Sequence, residues 1–404
     1  MLKAIVFFVF MLLYDRIASN IGQVEYSNST KRKSATIVET EKKAATVDSS
    51  EGKGATLIFM GDISFHGAIM YHVDKGNCTY NESFEKIKPH VNDADYIIAN
   101  LDSVVKLKKN TSELDPNEIV HIYSREESYS ALKYLGVNAV SIANNHLLDY
   151  GAESATYTYH ALKKLPLGVS GMTFGKGPMH RQKPYVFSIN GIKFGMVSYC
   201  DNEEGCMAPR NVSSAGPAIL LKGTRYQPIV RKDVKYLKRV ENVDVIILYI
   251  HWLKEYAVLP GGWYESEKMR FFLDLGIDMV IGSHAHMTSF HYLSKGQLLV
   301  PSLGNFLFPM HLTHSDGIFG YNNVTKAKDD DFYRVMKNMN NPTKHAEMIK
   351  VHVTKTGVDR VQYMRTKIDI TEQHCLQVVS TSKWKTLCGD GDKDCLGCLD
   401  AKDC

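Results

Sequence analysis

The stretch Leu275-Gly-Ile-Asp-Met-Val-Ile-Gly-Ser-His-Ala-His286, followed by Val300-Pro-Ser-Leu-Gly-Asn-Phe-Leu-Phe308, decides how the fold is interpreted. Ile277 to Ile281 is a short apolar run with a β-branched bias, which predicts a buried strand. A glycine and a serine end that run, and His284 and His286 follow at alternate positions. Because residues two apart in extended backbone point the same way, both imidazoles are predicted to face one side at the strand's carboxyl end. Such a pair suits zinc, iron or manganese, although taken alone it also fits two surface histidines on a loop.

Four other apolar runs also end in metal-ligand side chains, here Asp, Asn or His. Each run has the length and composition of a buried strand, and helical segments alternate with these runs. The residues at the run ends are Asp62, Asn100 with Asp102, Asn144 with Asn145 and His146, and His251. Alternating strands and helices predict right-handed crossovers and a largely parallel sheet, with the carboxyl ends of its strands on one side. The sequence therefore predicts that Asp, Asn and His side chains from distant parts of the chain converge on one site.

Composition and charge limit the classes of function. The chain has 404 residues, of which 44% are hydrophobic and 23% charged, and this is sufficient for a sizeable core in one or two domains. Its formal net charge is only +4, and the sequence has no arginine-rich run and no alternation of aromatic and basic residues. We therefore expect no nucleic-acid partner.

The amino terminus has the pattern of a secretory signal peptide. Lys3 precedes an apolar run from Ala4 to Tyr14, and small residues up to Ser19 follow it. The run is too short for a stable membrane span, so residues 1–19 are predicted to be cleaved off, with an uncleaved anchor as the alternative. Residues 20–54 are polar and lack an apolar period, which predicts a flexible leader.

Cysteines and glycosylation motifs indicate a secreted, disulfide-bonded glycoprotein. Five of the eight cysteines lie in a tail of residues 371–404, and Cys200 with Cys206 has the spacing of a local disulfide. Cys395 and Cys398 have the spacing of a zinc-ligand pair, but an oxidising compartment favours a small disulfide knot, whose pairing the sequence leaves open. The Asn-x-Ser/Thr motifs are at Asn28, Asn77, Asn81, Asn110, Asn211 and Asn323.

Short motifs at the strand ends occur in the order of a known family. They are Gly61-Asp62-Ile, Asn100-Leu-Asp102, Ala143-Asn-Asn-His146-Leu-Leu-Asp149-Tyr-Gly151, His251-Trp, Glu255-Tyr256, Gly282-Ser-His-Ala-His286 and Ser302-Leu-Gly-Asn-Phe306. Together they resemble the bacterial CapA family, which is named for poly-γ-glutamate capsule biosynthesis and is a branch of the calcineurin-like metallophosphoesterases. The resemblance covers residues 55–308, and two later strands complete a domain predicted to span residues 55–370.

The resemblance implies an α/β fold, a four-layer α/β/β/α metallophosphoesterase-like sandwich, followed by the short Cys-rich tail. It also implies two divalent metal ions (Mn, Fe or Zn), bound by Asp62, Asp102, Asn145, His251, His284 and His286. In that scheme Asp62 and His286 bind the first ion, Asp102 bridges both ions, and the remaining three bind the second. His146 would give a proton or hydrogen bond to the reacting phosphate, and Asp149 would orient it.

Two of the departures from the family pattern bear on metal binding; the other two, Ala285 in place of proline and Leu253 in place of glycine, are expected to affect loop shape. Asp102 stands where the family usually has Glu, and its shorter side chain is expected to shift or weaken the bridge between the ions. Ser64 stands in place of the histidine that metallophosphoesterases carry in the first motif. His66 either substitutes for that histidine or is an ordinary loop residue, which leaves open whether the first metal site fills. Asn305 and Glu255 are interpreted as residues that brace the site rather than as ligands.

Three functions fit these patterns. The first is a secreted hydrolase that acts through two metal ions on a phosphate ester or another anionic substrate, such as poly-γ-glutamate. The second is a non-catalytic accessory protein that binds poly-γ-glutamate or a similar polyanion. The third, a structural or adhesive glycoprotein that has lost the chemistry, is disfavoured because the set of polar residues from Asp62 to His286 is nearly complete.

Overall fold

A computed structural model describes residues 53–107, 121–175, 182–201, 206, 215–256, 263–309, 342–388 and 395. These residues belong to the unit Gly52–Cys404. The predicted signal peptide of residues 1–19, the leader up to residue 52, the motifs at Asn28, Asn110, Asn211 and Asn323, and the cysteines Cys398 and Cys404 lie outside the described residues. No helix within the described ranges is long and apolar enough to cross a membrane.

Twenty strands and five α-helices form the regular structure of the described residues. The strands in chain order are β1 (Ala55–Ile63), β2 (Tyr96–Leu101), β3 (Val104–Val105), β4 (Tyr123–Ser124), β5 (Ala139–Ser141), β6 (Gly168–Ser170), β7 (Met172–Phe174), β8 (Tyr185–Ile189), β9 (Ile192–Asp201), β10 (Ala215–Pro217), β11 (Ile219–Leu220), β12 (Val245–His251), β13 (Met279–Ser283), β14 (Tyr292–Ser294), β15 (Gln297–Val300), β16 (Asn305–Leu307), β17 (His345–Thr354), β18 (Gly357–Ile370), β19 (Leu376–Ser380) and β20 (Lys385–Thr386). The helices are α1 (Ala68–Asp74), α2 (Ser130–Leu135), α3 (Gly151–Lys164), α4 (Gln227–Tyr236) and α5 (Trp263–Asp274).

Two large sheets carry most of these strands. The first has nine strands in the order β19-β18-β17-β1-β2-β5-β6, with β16 also paired to β1 and β20 to β18. The second has seven strands in the order β11-β9-β12-β13-β15-β14, with β8 also paired to β9. Pairing is parallel from β1 through β2 and β5 to β6, and from β9 through β12 and β13 to β15. The carboxyl ends of the parallel strands therefore lie at one edge of each sheet.

Alternating side chains along the strands separate three apolar cores. In β1, Leu57 and Phe59 belong to the core between the two sheets, which also contains Ile247 of β12. Their neighbours Ile58 and Met60 point to the opposite face and belong to the core that α1, α2 and α3 cover. A third core lies between the outer face of the second sheet and the helices α4 and α5. These layers form an α/β/β/α sandwich, which confirms the predicted fold class.

Two local predictions have different outcomes. The pair Asn190-Gly191 joins β8 to β9 in an antiparallel hairpin, and both residues have positive φ, 51° and 77°, as the turn signal predicts. The helical segment predicted around residues 80–91 consists instead of two 3₁₀ turns, Asn81–Phe84 and Lys88–His90. Because Pro89 has no N–H for an i−4 hydrogen bond, an α-helix through this segment is unfavourable.

The carboxyl-terminal segment extends the first sheet beyond the predicted domain boundary at residue 370. Strands β19 and β20 both pair with β18, so residues 376–386 belong to the sandwich. Disulfides join Cys78 to Cys375, Cys200 to Cys206, and Cys388 to Cys395. The local pair Cys200–Cys206 is as predicted. Cys375, however, bonds to Cys78 in the segment after α1 rather than to another tail cysteine. The spacing of the cysteines could not predict this pairing, because the two residues are 297 positions apart.

Candidate metal centre

The strand-end side chains that the sequence predicted to converge lie close together at one edge of the two sheets. They are Asp62 in β1, Asp102 after β2, Asn145 in the 3₁₀ turn after β5, His251 at the end of β12, and His284 and His286 after β13. Three come from each sheet, so the site forms where the carboxyl ends of both sets of parallel strands meet.

One group of contacts surrounds His251. Its Nε2 atom lies 2.8 Å from Asn145 Oδ1 and 3.9 Å from Asp102 Oδ1. Its Nδ1 atom lies 2.9 Å from Ser283 Oγ, which fixes the ring orientation and leaves Nε2 facing the two oxygens. Asp62, Asp102 and His251 each place one potential ligand atom within 4.8 Å of the other two. Carboxylate, amide and imidazole donors of this kind suit divalent metals.

A second group surrounds His286. Its Nδ1 atom lies 2.8 Å from Asn305 Oδ1 and 3.8 Å from Asp62 Oδ2, and its Nε2 atom lies 3.9 Å from Glu255 Oε1. Glu255, His284 and His286 also place one potential ligand atom each within 4.8 Å of the others. Asn305 therefore holds the His286 ring, whereas Glu255 lies among the candidate ligands.

The turn after β13 does not have extended backbone. The strand ends at Ser283, and His284 and His286 have φ of 89° and 58°, in the left-handed region that non-glycine residues rarely occupy. The prediction that extended backbone brings the two imidazoles to one side is therefore wrong, although their ring centroids lie only 6.0 Å apart. Such backbone costs about 1–3 kcal/mol per residue and persists where the surrounding structure holds it in place.

Two glycines permit close approach of the chain beside the site. A Cβ atom at Gly282 would lie 1.8 Å from the carbonyl oxygen of Pro301 and 2.7 Å from Trp252 Nε1. A Cβ atom at Gly61 would lie 2.0 Å from the carbonyl oxygen of Gly304. Any larger residue would separate the strand ends, so the glycines in the two motifs are required by packing.

Burial raises the pKa of both site aspartates. For Asp62, the nearby His286 and hydrogen bonds oppose the effect of burial, including one that Asn100 Nδ2 donates at 2.8 Å. For Asp102, burial and the negative charge of Asp62 raise the pKa well above its usual range. Neither carboxyl oxygen of Asp102 has a hydrogen-bond partner among the described residues. Buried carboxyl oxygens without partners are costly, and a bound cation would satisfy both.

His251 and His284 are in the form that binds metal. Burial lowers the pKa of His251 and of His284 well below the usual range, and the neighbouring imidazoles add to this effect. Both rings are therefore neutral at physiological pH. The Nδ1 atom of His284 is buried and has no hydrogen-bond partner in the described part of the chain. The orphaned atoms of Asp102 and His284, together with the donor types present, fit divalent metal ions.

His146 and Asp149 form a buried pair on the 3₁₀ turn that begins at Asn145. His146 Nδ1 donates to Asp149 Oδ2 at 2.8 Å, and His146 Nε2 lies 3.4 Å from Asn145 Nδ2. Burial opposes protonation of His146, but the charge and hydrogen bond of Asp149, with the charges of Asp102 and Glu255, raise its pKa to about 10. The ring can therefore hold a proton beside the candidate ligands.

The first strand end has no imidazole at position 64. Ser64 Oγ lies 2.8 Å from His66 Nδ1, and the His66 ring packs edge-on against Phe308 with centroids 4.8 Å apart. Burial and the charges of His146 and His286 lower the pKa of His66 to about 3. Within the described ranges, His66 belongs to neither group of candidate ligands.

Two further polar residues, Asn100 and Ser283, contact candidate ligands. Asn100 donates to one oxygen of Asp62 and accepts a hydrogen bond from Asn144 Nδ2 at 3.3 Å, while Ser283 contacts His251. Asn100 and Ser283 each lie next to a strand end in the motifs that carry candidate ligands. The sequence shows that a polar residue stands near each of these strand ends. Which ligand that residue contacts depends on how the strands pair, and the sequence does not show this.

The fold and the site define an α/β/β/α sandwich with Asp, Asn and His side chains gathered at the carboxyl ends of its parallel strands. The chain belongs to the family described as bacterial capsule synthesis protein PGA_cap, whose model matches residues 56–310. The resemblance found in the motifs is therefore confirmed.

Two bacterial proteins are similar to this chain in sequence. The "Capsule biosynthesis protein CapA" of Bacillus anthracis is 28% identical over 266 residues, which cover 64% of this chain and 61% of that protein. The "PGA biosynthesis protein CapA" of Bacillus subtilis (strain 168) is 24% identical over 316 residues, or 77% of this chain and 71% of that protein. The match to the first of these relatives thus spans less than two thirds of its length.

Solved structures with a distant likeness include two phosphoesterase-type proteins. The calcineurin-like phosphoesterase YfkN of Bacillus subtilis has 13% identity and a TM-score of 0.37, with 83% of this chain and 91% of that one covered. A putative 5'-nucleotidase of Staphylococcus aureus has 13% identity and a TM-score of 0.38, with 82% and 54% covered. The layers and strand order described above, rather than these scores, carry the fold assignment.

Proposed function

We propose that the chain is a secreted metal-dependent hydrolase that uses two divalent cations to cleave a phosphate ester or to act on an anionic polymer such as poly-γ-glutamate. One observation carries the hydrolytic part of the proposal. His146 and Asp149 form a buried pair, 2.8 Å between Nδ1 and Oδ2, directly beside the candidate ligands. A site that only binds an anion needs the cations, but it does not need a histidine that an aspartate keeps protonated.

The residues of the site have distinct roles in this proposal. The ions would be held by Asp62, Asp102, Asn145, His251, His284 and His286. When bound, the ions would stabilise negative charge on the substrate and activate water for attack. His146 donates a proton or hydrogen bond to the substrate, and Asp149 fixes its ring through Nδ1. Ser283 and Asn305 hold the His251 and His286 rings by their Nδ1 atoms.

The names of the relatives favour a second candidate function. One is named for capsule biosynthesis and the other for PGA biosynthesis. An accessory protein could bind poly-γ-glutamate or a similar polyanion through the cations and leave it intact. Repeated carboxylates are hard oxygen donors, which such cations accept.

Secretion is part of the proposal because two features support it. Residues 1–19 have the pattern of a cleaved signal peptide, and three disulfides lie within the described residues. Expression in a secretory host, followed by amino-terminal sequencing of the exported protein, is expected to give a chain that begins at Asn20. A chain that stays inside the cell, or keeps Met1, contradicts this part.

Metal analysis and two assays separate the candidates. The purified protein is stripped of metal, reconstituted with Mn²⁺, Fe²⁺ or Zn²⁺, and assayed with a phosphodiester and with poly-γ-glutamate. Hydrolysis that falls about 10²–10⁴-fold in His146→Ala, with unchanged metal content, supports the hydrolase. Polymer binding without cleavage supports the accessory protein. A chain that binds no metal with any of the three ions contradicts both.

A further inference from the structure

We propose that Glu255 is a ligand of the cation assigned to Asp62 and His286, and that it supplies the donor that the chain lacks at Ser64. This inference rests on the proposed metal-dependent function and adds one residue to the same site.

The Glu255 carboxylate reaches the histidine pair from the loop after β12. Glu255 Oε1 lies 3.9 Å from His286 Nε2, and one atom each from Glu255, His284 and His286 lies within 4.8 Å of the others. Two donor atoms that bind the same ion with bonds of about 2.0–2.2 Å lie roughly 3–4 Å apart. The distance of 3.9 Å between Glu255 Oε1 and His286 Nε2 is therefore close to that of two ligands of one ion.

Backbone contacts hold the Glu255 loop against the histidine turn. The Tyr256 N–H donates to the carbonyl oxygen of Ala285, between the two histidines, at 3.0 Å. Leu253 and Tyr256, which lie on either side of Glu255, have φ of 71° and 61°. Left-handed backbone at non-glycine residues is unfavourable and persists where the surrounding structure holds it in place. The loop therefore brings Glu255 next to the histidines, with 43% of its side chain still exposed.

The neighbouring His284 also has a buried atom, Nδ1, without a hydrogen-bond partner within the described ranges, which is consistent with a bound cation in this part of the site. In His286, Nδ1 is held by Asn305, so Nε2 is the nitrogen available to a cation, and it is the nitrogen next to Glu255. A buried ring nitrogen without a partner is costly unless a bound group satisfies it.

His66 is the other possible source of the missing donor. Its Nδ1 atom is at hydrogen-bond distance from Ser64 and its ring packs against Phe308, while its buried Nε2 atom has no hydrogen-bond partner among the described residues. Unlike Glu255, it does not join His284 and His286 within coordinating range. The structure therefore favours Glu255 over His66, and variants of the two residues separate the alternatives.

The test measures metal binding rather than turnover. The wild-type chain, Glu255→Gln, Glu255→Asp, His66→Gln and the exposed control Glu267→Gln are stripped with chelator and titrated with Mn²⁺ and with Zn²⁺. We expect two ions per chain in the wild type. Glu255→Gln should keep one ion and bind the other 10–100-fold more weakly, and Glu255→Asp should be intermediate. His66→Gln and Glu267→Gln should bind both ions with wild-type affinity.

The outcomes distinguish this inference from the proposed function. If Glu255→Gln binds both ions as tightly as the wild type, Glu255 forms only a partly exposed ion pair with His286, and the inference is wrong while the metal site stands. If His66→Gln loses one ion instead, His66 is the substitute ligand. A wild-type chain that binds no metal overturns the proposed function and the inference together. Equal unfolding temperatures of the metal-free variants confirm that the comparison reports ligands and not folding.

Discussion

At the scale of single residues, Asp102 couples metal binding to stability. Its side chain is fully buried, and neither carboxyl oxygen has a hydrogen-bond partner in the part of the chain that the structure describes. Burial and the charge of Asp62 both raise its pKa, which means that its charged form is unfavourable in the metal-free protein. A cation bound by Asp102 would remove this penalty, so the same residue would be costly without metal and favourable with it.

Asp102→Asn is therefore expected to have opposite effects on the two states. In the metal-free protein the change removes the cost of burying a carboxylate and its repulsion with Asp62, and the free energy of unfolding should rise by about 1 kcal/mol. Metal affinity should fall at least about tenfold because an amide is a weaker donor than a carboxylate. Thermal unfolding in excess chelator and metal titration measure the two effects. The exposed Asp274→Asn serves as the control and should change neither. A lower unfolding temperature of metal-free Asp102→Asn contradicts the expectation.

At the scale of elements, the turn between β13 and the histidines is fixed by packing against Gly282. A Cβ atom there would come within 1.8 Å of a backbone carbonyl oxygen, which cannot move without shifting the following chain. We expect Gly282→Ala to reduce the free energy of unfolding by about 3 kcal/mol.

Gly76→Ala is the matched control for this prediction. Gly76 has a φ of 73°, but a Cβ atom there meets nothing within 4 Å. The free energy of unfolding of Gly76→Ala should therefore fall only by the cost of a side chain in left-handed backbone, about 1–2 kcal/mol. Urea unfolding of both variants measures the two losses, and an unchanged free energy of unfolding in Gly282→Ala would show that close approach at Gly282 does not matter.

The elements predicted correctly from the sequence are those that depend on residues close together in the chain. The strand periodicity of Ile277 to Ile281 and the Asn190-Gly191 turn depend on neighbouring residues, and both are present in the structure. The strand-end pattern also predicted which side chains meet, because parallel pairing forces the carboxyl ends together. The left-handed conformations of His284 and His286 were not predictable, since hydrogen bonds from other segments hold this turn, such as the one from the Tyr256 N–H to the Ala285 carbonyl oxygen. The position of Glu255 beside His286 likewise depends on loop contacts that no periodic pattern encodes.

At the scale of the whole molecule, one disulfide links the two ends of the described domain. Cys78 follows α1 near the start of the sandwich, and Cys375 precedes the edge strand β19, with 297 residues between them. Closing so long a loop removes more freedom from the unfolded chain than the short Cys200–Cys206 loop, which spans six residues. The pairing also depends on strand order across the whole sheet, which explains why cysteine spacing did not predict it.

The double variant Cys78→Ala/Cys375→Ala is expected to lose about 3–5 kcal/mol of unfolding free energy. Cys200→Ala/Cys206→Ala should lose less, because its closed loop is short. Chemical unfolding of oxidised wild type and both variants provides the comparison. A larger loss in the Cys200–Cys206 variant would mean that local packing beside Ala143, and not loop closure, dominates disulfide stabilisation in this chain.

Anomalous diffraction from crystals grown with Mn²⁺ tests most directly whether side chains from both sheets hold divalent cations. The expected result is two anomalous peaks at the carboxyl edge, with coordinating atoms drawn from Asp62, Asp102, Asn145, His251, His284 and His286. No peak in that region at saturating Mn²⁺, or peaks bound only by residues elsewhere on the surface, would contradict the assignment of a metal centre to this fold.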